Sequence, residues 1–585
     1  MPLEIALAQF RPTKGDPDAS FERISEWFGR LGSVGSGSPE LVVFPETAAT
    51  GYFLEGGIHE HSLAAETMLA RLDDAWKQAA VADGALDVVI GFYEHDGARM
   101  YNSALYAELG AGSPRLVHVH RKVFLPTYGV FQEERFVEAG DRVAAFDTRR
   151  GRAAILICED VWHGAAVRAA AADGARLLIV PSASPARGAA PGPGMPGNLA
   201  RWQRLARSTA AEHGVAVAVS QLVGFEGGKG FAGGSLVAEP ERGIVHRSVL
   251  WDEALDVVEI EVPERGAAVG SSADPAGGSP SLATGFTPPA ADPEEAVERG
   301  YPREAAAAGD ARDTGLLDID TALVEEWLVR FLRDEMALRR GFEQAVVGMS
   351  GGVDSSVTAA LCARAFGPGN VHGFLMPYAT SSPESAEHAR LVAGQLGVDT
   401  REIEITAAVD GYLGPHEPDA DATRRGNVMA RMRMIVLFDQ AAKLGALPVG
   451  TGNKSERLLG YFTWHADDSP PINPLGDLFK TQVWALARHL GLPDVVIDKP
   501  ATADLVRGQT DEEDLGLTYG EADLILLHLV EGRTPVWLEA AGFEPENVRT
   551  VRRRLESTHW KRNLPTVAML SSTTIGEWYL RPVDY

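Results

Sequence analysis

The sequence predicts an α/β protein of two α/β domains joined by a linker, and three observations carry that expectation. Residues 3 to about 264 alternate short apolar runs with helical stretches. Residues 265–315 are dominated by Ala, Gly, Pro, Ser and acidic side chains, with little to bury. From 316 onward, strand and helix patterns alternate again as expected of a doubly wound parallel sheet. At 585 residues the chain has room for two to four domains.

In the N-terminal domain (1–264), LEIALAQF, ELVVFPE, DVVIGFYE, YNSALYAE, AAILICED, RLLIVPSA and VAVAVSQL read as buried strands. Helices are expected over Phe21–Leu31, Ser62–Ala82 and Asn198–Glu212. In the C-terminal domain (316–585) one long amphipathic helix, DTALVEEWLVRFLRDEMALRR, leads into the strand EQAVVGM, the loop SGGVDSS and the helix VTAALCARAF. The strand VHGFLMP, the helix SPESAEHARLVAGQLG and the strand TREIEI continue the alternation.

Composition excludes several function classes. With 45% apolar and 23% charged residues the chain is a folded globular protein. A formal charge of −27 argues against a nucleic-acid partner, because phosphate neutralisation needs clustered Lys and Arg. Two cysteines make neither a disulfide framework nor a Cys-rich zinc site and fit a reducing compartment. No run approaches 18 apolar residues, and MPLEIALAQFRPTKGD lacks the basic start and apolar core of a signal peptide. A cytoplasmic protein without a membrane partner is expected. Only nine lysines stand beside 45 arginines, so a lysine is expected chiefly where a compact, titratable amine is needed.

Ser350-Gly351-Gly352-Val353-Asp354-Ser355-Ser356 lies between a predicted strand and a predicted helix. Two glycines let the backbone approach an anion, and the N–H groups of the helix start and the serine hydroxyls donate to it. Asp354 beside a phosphate calls for an intervening Mg²⁺. The loop is not a Walker A sequence, which needs GxxxxGK[ST]. SGGxDS is similar to the signature of PP-loop enzymes, which hold the pyrophosphate of ATP while its α-phosphorus is attacked. Downstream come Gly426–Met434 opening a helix, Gly450–Glu456 running on to Gly460–Thr463, Asn473–Thr481, Lys499–Leu505 and Gly508–Gly516. Together these blocks resemble the NAD synthetase family across nearly all of 316–585. The resemblance implies ATP-dependent amidation of nicotinic acid adenine dinucleotide through an adenylate, giving AMP and pyrophosphate. It places ATP on Ser350–Ser356, Thr451, Lys480 and Thr502, the dinucleotide on Asn427, Arg431, Glu456 and Lys561, and Mg²⁺ on Asp354 and Glu456. Trp464 and Pro471 stand where many family members have a Lys and an Asp that touch the dinucleotide.

In the N-terminal domain three side chains stand at strand ends: Glu46 after LVVFP, Lys122 after LVHVHR, and Cys158 after AAILI. A thiol needs a base to take its proton and a cation to stabilise developing charge, and these residue types supply both. The set is similar to the nitrilase superfamily over residues 3–262, whose fold is an α-β-β-α sandwich. The resemblance implies Glu46 as base, Lys122 as oxyanion stabiliser, Cys158 as nucleophile and Glu133 as a supporting glutamate. Cys362, inside an apolar helix, reads as a small buried hydrophobe.

Joined to an NAD synthetase, such a domain is expected to be a glutaminase supplying ammonia to the adenylate, as in the glutamine-dependent NAD synthetases. Tyr128 and Ser184 sit where that subfamily holds glutamine, and Arg187 replaces a missing amine for the amino-acid carboxylate. The stretch after Ser184 and the glycine-rich Phe225–Ala232 depart from the subfamily pattern. The expected partners are small molecules (glutamine, ATP and the dinucleotide), and a homo-oligomer is expected. The alternative is an ammonia-dependent synthetase whose nitrilase-like domain acts on another amide. A PP-loop tRNA-modifying enzyme is disfavoured by the acidic charge, and a non-enzymatic scaffold would not need these side chains together.

Overall fold

All seven apolar runs of the N-terminal half form strands in the computed structural model, which describes residues 2–31, 39–54, 57–79, 85–110, 112–192, 194–263, 311–502, 510–562, 568 and 570. Among these, residues 2–188 and 195–263 form one compact unit and residues 189–194 and 311–562 another. The expected linker, 265–315, falls outside the described residues up to 310.

The first unit contains two six-stranded sheets. One has the order β14-β1-β2-β3-β4-β5, with β1 Pro2–Gln9, β2 Leu41–Val43, β3 Leu86–Asp96, β4 Arg99–Leu109, β5 Arg115–Arg121 and β14 Ala254–Glu261. The other has the order β13-β12-β9-β8-β7-β6, with β6 Phe146–Thr148, β7 Gly151–Ile155, β8 Leu177–Ser182, β9 Ala216–Gln221, β12 Leu236–Glu239 and β13 Gly243–Arg247. Strand β1 packs on β9 and β3 on β8, and the Ser220 hydroxyl bonds the Ala8 carbonyl across the gap. The helices Pro17–Leu31 and Ala65–Gln78 cover the outer face of the first sheet, their Phe28, Trp27, Met68, Leu72 and Trp76 side chains meeting Val42, Val88 and Ile90. The helix Gly197–His213 packs on β9 and β12. This is the α-β-β-α sandwich. Its central strands are apolar throughout because a helix layer and a second sheet bury both faces.

The helix expected over Ser62–Ala82 begins three residues later, at Ala65; its last three residues lie outside the described set. The glycine-rich Phe225–Ala232 has a local explanation. Strands β10 (Val223–Glu226) and β11 (Lys229–Ala232) form a hairpin whose two turn residues, Gly227 and Gly228, have φ of 60° and 78°. Two successive positive φ values suit glycine, and they match the twist of the flanking strands.

The second unit carries a parallel sheet of order β17-β16-β15-β18, with β15 Ala345–Gly348, β16 Val371–Leu375, β17 Asp399–Glu402 and β18 Leu447–Pro448. The chain leaves β15 towards one edge and returns to its other side with β18. The loops after β15 and β18 therefore flank the switch point where open α/β sheets bind ligands. Two expectations need correction. The long helix of 320–340 is α-helical only over Thr321–Leu332 and winds as a π-helix over Arg333–Leu338, where Arg340 bonds both the backbone carbonyl and the side chain of the buried Glu335. The helix expected to open at Gly426 opens a turn earlier, at Ala422, because the Asp421 carboxylate caps it by accepting the Arg424 N–H at 2.8 Å.

Candidate active sites

Strands β2, β5 and β7 end on the same side of their sheets, and Glu46, Lys122 and Cys158 follow those ends. Glu46 and Lys122 are 0% and 1% exposed. The Lys122 ammonium donates to Glu46 Oε1 at 2.8 Å and to Glu133 Oε1 at 2.7 Å. Glu46 is fixed further by the Asn102 amide on Oε1 (2.8 Å) and by the backbone N–H of Ala183 on Oε2 (2.8 Å). The Tyr52 hydroxyl donates to the Glu133 oxygen that Lys122 also bonds. Removing one partner from such a buried ionic set typically costs about 3–5 kcal/mol, because the others are left uncompensated.

Cys158 is buried and has φ of 43°, and Thr47, next to Glu46, has φ of 51°. A non-glycine residue in the left-handed region costs on the order of 1–3 kcal/mol and persists only where the surroundings enforce it. Burial pushes the Cys158 thiol well above its ordinary value, the Glu46 charge adds to this, and the Lys122 ammonium and the neighbouring Ser182 hydroxyl oppose it. Burial alone would push Lys122 down, but the charges of Glu133 and Glu46 outweigh it and hold the ammonium protonated. Burial raises Glu133 to about 7 against the pull of Lys122. The resting site thus pairs a neutral thiol with a charged ammonium between two carboxyl groups.

Tyr128, Ser184 and Arg187 lie beside this set. The Tyr128 hydroxyl donates to Glu159 Oε2 at 2.7 Å, and its ring meets Phe131 edge-on at 5.6 Å. The Arg187 guanidinium lies over the Phe131 ring at 5.4 Å, and its buried Nη2 has no hydrogen-bond partner among the described residues. Ser184 Oγ accepts from Asn198 at 3.1 Å. Phe131 also meets Tyr52 edge-on at 6.0 Å, which joins this wall to the Glu133 oxygen.

In the second unit the loop after β15 turns into the helix Val353–Phe366. Gly351 has φ of 76°, and a Cβ there would lie 2.0 Å from the Ser385 carbonyl oxygen. Gly352 caps the helix without a side chain, so the first N–H groups are left open to an anion. Ser350 and Ser355 hydroxyls lie 3.1 Å apart, and Ser355 and Ser356 donate to the Gly352 carbonyl at 3.0 and 2.8 Å. Val353 and Cys362 are buried in the core.

The Lys480 ammonium bonds Asp354 and lies 3.8 Å from Glu456. Asn453 donates to Asp354 at 2.9 Å and caps the helix Lys454–Leu459, whose third residue is Glu456. Burial and then the Asp354 charge raise Glu456 to about 8, with Lys480 opposing. Two carboxyl groups sharing one ammonium fit an additional cation. Among the described residues no group of three or more His, Cys, Asp or Glu could hold a metal ion. Asp354 and Glu456 are donors of the kind that Mg²⁺ accepts, one or two carboxylates with the shell completed by phosphate and water.

Sequence reasoning missed Asp523, a buried carboxyl inside the apolar helix Tyr519–Val530. One oxygen accepts from Ser455, next to Glu456, and the other from the N–H (3.0 Å) and hydroxyl (2.9 Å) of Thr481, next to Lys480. The signal was present: a lone acid in the run ADLILLHLV. Asn102 and Tyr52 were also missed, and no local motif marks them.

Three of the four expected dinucleotide residues converge on one loop, while Glu456 lies apart from it beside Lys480. Asn427 Oδ1 accepts from Thr463 (3.0 Å), Arg431 donates to the Trp464 carbonyl (3.2 Å), and Lys561 donates to the carbonyls of Gly460 (2.9 Å) and Phe462 (3.0 Å). Trp464 packs edge-on against Trp560 at 5.2 Å. Thr451 is half-buried beside the Asn453 cap and Thr502 is exposed; residues 503–509, which take in the end of the expected Lys499–Leu505 block and the start of the Gly508–Gly516 block, are outside the described set.

Comparison with known proteins finds two families. The carbon–nitrogen hydrolase family model matches residues 4–268 and the NAD synthase family model matches residues 324–565. The chain is 50% identical over 260 residues to an NH(3)-dependent NAD(+) synthetase of Trichlorobacter lovleyi, covering 44% of this chain and 94% of that one. It is 43% identical over 255 residues to the corresponding protein of Fusobacterium nucleatum, covering 43% and 98%. Among solved structures, the glutamine-dependent NAD+ synthetase of Acinetobacter baumannii with ADP is similar over 100% of this chain and 99% of its own, with a TM-score of 0.70 and 24% identity. That of Cytophaga hutchinsonii covers 96% and 94% with a TM-score of 0.68 and 17% identity. At those identities the likeness bears on the fold. The chain belongs to the NAD synthase family, with a carbon–nitrogen hydrolase domain in its N-terminal half.

Proposed function

We propose that this chain is a glutamine-hydrolysing NAD synthetase: it amidates nicotinic acid adenine dinucleotide with ammonia taken from glutamine, at the expense of ATP. The observation that supports it most is that one chain carries both a thiol–ammonium–carboxylate set and the anion cradle of an NAD synthase.

In the first unit, glutamine lies along the Tyr128–Phe131–Arg187 wall, with Arg187 facing its carboxylate and Ser184 nearby. As the Cys158 sulfur bonds the amide carbon, its proton passes to Glu46, and the Lys122 ammonium bonds the oxyanion. Glu46 returns the proton to the departing nitrogen, the C–N bond breaks, and ammonia leaves a glutamyl thioester. Water activated by Glu46 then cleaves the thioester to glutamate and restores the thiol. Glu133 and Tyr52 hold the ammonium in place throughout.

In the second unit, a dinucleotide carboxylate oxygen bonds the α-phosphorus of ATP and pyrophosphate leaves, bound by Ser350–Ser356 and Lys480. Thr451 and Thr502 serve the nucleotide, and Asn427, Arg431 and Lys561 the dinucleotide. Asp354 and Glu456 would hold Mg²⁺, which when bound neutralises charge on the phosphates. Ammonia attacks the adenylate carbonyl and AMP departs.

Feeding glutamine labelled with ¹⁵N in the amide should place the label in the carboxamide of NAD, with AMP and pyrophosphate formed one-to-one with NAD. Unlabelled NAD in the presence of trace ammonium would favour the second reading, an ammonia-dependent synthetase beside another amidase. The NH(3)-dependent names of the C-terminal relatives support that reading. ADP and phosphate as products would sink the adenylate route. Among the described residues no helix is long and apolar enough to cross a membrane; a cytoplasmic homo-oligomer is our further reading, supported by the exposed Ile435 and Phe438 on one helix. Light scattering of the purified chain tests it.

A further inference from the structure

Asp160 lies two residues beyond Cys158, and its side chain is wholly buried. It receives four bonds from two segments. Its Oδ1 accepts the backbone N–H groups of Val123 (3.0 Å) and Phe124 (2.9 Å), the two residues after Lys122. Its Oδ2 accepts the N–H of Ile157 (3.0 Å), the residue before Cys158, and meets His120 Nε2 at 2.8 Å. An ionised carboxylate has about four acceptor positions, so this one is saturated, and the His120 ring must donate from Nε2. Burial raises the Asp160 carboxyl, but the His120 bond and the N–H groups of Phe124 and Ile157 hold it below its ordinary value.

The same residue closes the strained turn of the nucleophile. Its backbone N–H bonds the Ile157 carbonyl at 2.9 Å while its carboxylate takes the Ile157 N–H, so both directions of the turn around Cys158 are tied to one residue. Two other contacts also join these segments: the Phe124 ring lies flat on His163 at 3.7 Å, and Tyr128 bonds Glu159, the residue after Cys158. The Asp160 carboxylate takes backbone N–H groups from both segments, next to the ammonium at Val123 and next to the thiol at Ile157.

We propose that Asp160 is a positioning residue for amide hydrolysis, its carboxylate fixing the Lys122 ammonium against the Cys158 thiol while His120 braces the carboxylate. This rests on reading Glu46, Lys122 and Cys158 as an amide-hydrolysing set. Positioning of this kind has a kinetic signature. The substrate wall is untouched, so binding holds, while a misplaced ammonium weakens the transition state and leaves the thiolate less stabilised.

The test is Asp160→Asn in the full chain. An asparagine can still accept from Val123 and Phe124, but it presents an NH₂ group to the Ile157 N–H and the His120 donor. The glutaminase kcat should fall by about 100-fold, the scale of a 1 Å misplacement, with KM changed less than threefold and ammonium-supported NAD synthesis unchanged. The midpoint for alkylation of Cys158 by iodoacetamide should move to higher pH. His120→Gln, which can still donate, should keep most of the rate, and His120→Phe should lose it. An Asp160→Asn protein with wild-type kcat and alkylation midpoint, or with a kcat reduced only in proportion to its folded fraction, overturns the proposal. If Asp160→Asn does not fold, equal rates for His120→Gln and His120→Phe overturn it. Absence of glutaminase activity in the wild type would refute glutamine as the substrate instead, and the alkylation midpoint still reads Asp160.

Discussion

Glu46 has two opposite effects on Cys158, and a single substitution separates them. Its charge helps keep the thiol protonated, yet in hydrolysis it must take that proton. Glu46→Gln should therefore lower the thiol pKa and speed iodoacetamide alkylation near neutral pH, while glutaminase activity falls by about 100-fold or more, the scale of general base catalysis. A parallel fall in both rates would show that Glu46 merely holds the site together. The sign for the wild type follows from the raised thiol: alkylation should be slow at neutral pH and climb through and beyond the ordinary cysteine range as the thiolate forms. Lys122→Arg keeps the charge but spreads it over a plane, in a slot with Glu46 and Glu133 oxygens at 2.8 and 2.7 Å. It should cost at least about 100-fold in glutaminase rate, roughly 3 kcal/mol, as for a lost oxyanion donor. Ammonium-supported synthesis reports on whether the second unit is intact, and normal glutaminase activity in this variant would remove Lys122 from the mechanism.

At the scale of elements, Gly351 shapes the loop after β15 and Asp523 ties the helices that carry Glu456 and Lys480. Gly351→Ala would place a methyl group against the Ser385 backbone oxygen in a conformation L-residues avoid. NAD synthesis should be lost with either nitrogen source, with glutamine hydrolysis retained; near-normal synthesis would show that the loop adapts. Asp523→Asn should likewise impair synthesis with both sources, since it unties the residues beside Glu456 and Lys480, and should lower stability by about 1–3 kcal/mol through unmet buried donors. Urea unfolding of the variant against the wild type checks the second figure. What the sequence revealed of these elements follows from burial. Strands covered on both faces, such as β3 and β8, are continuous apolar runs and stand out. The hairpin β10–β11, with four residues in each strand, and the edge strand β13 (GIVHR), none of whose residues is fully buried, carry no such run. Motifs at strand ends exposed Glu46, Lys122 and Cys158. Asp160, Asn102 and Tyr52 act through contacts to residues distant along the chain, and a one-dimensional pattern does not contain those contacts.

Across the whole molecule, two chemistries with different needs are housed in two units. The first keeps a thiol and an ammonium dry between carboxyl groups; the second opens a helix start and a lysine to phosphates. We propose that the first supplies nitrogen to the second and has no other part in NAD formation. Cys158→Ala removes the sulfur that forms the thioester and leaves every group of the second unit in place. NAD formation should be measured for this variant with glutamine and, separately, with ammonium at high concentration. Loss of the glutamine-supported reaction with the ammonium-supported reaction largely intact is the predicted result. Glutamine-supported synthesis at the wild-type rate in Cys158→Ala would contradict it.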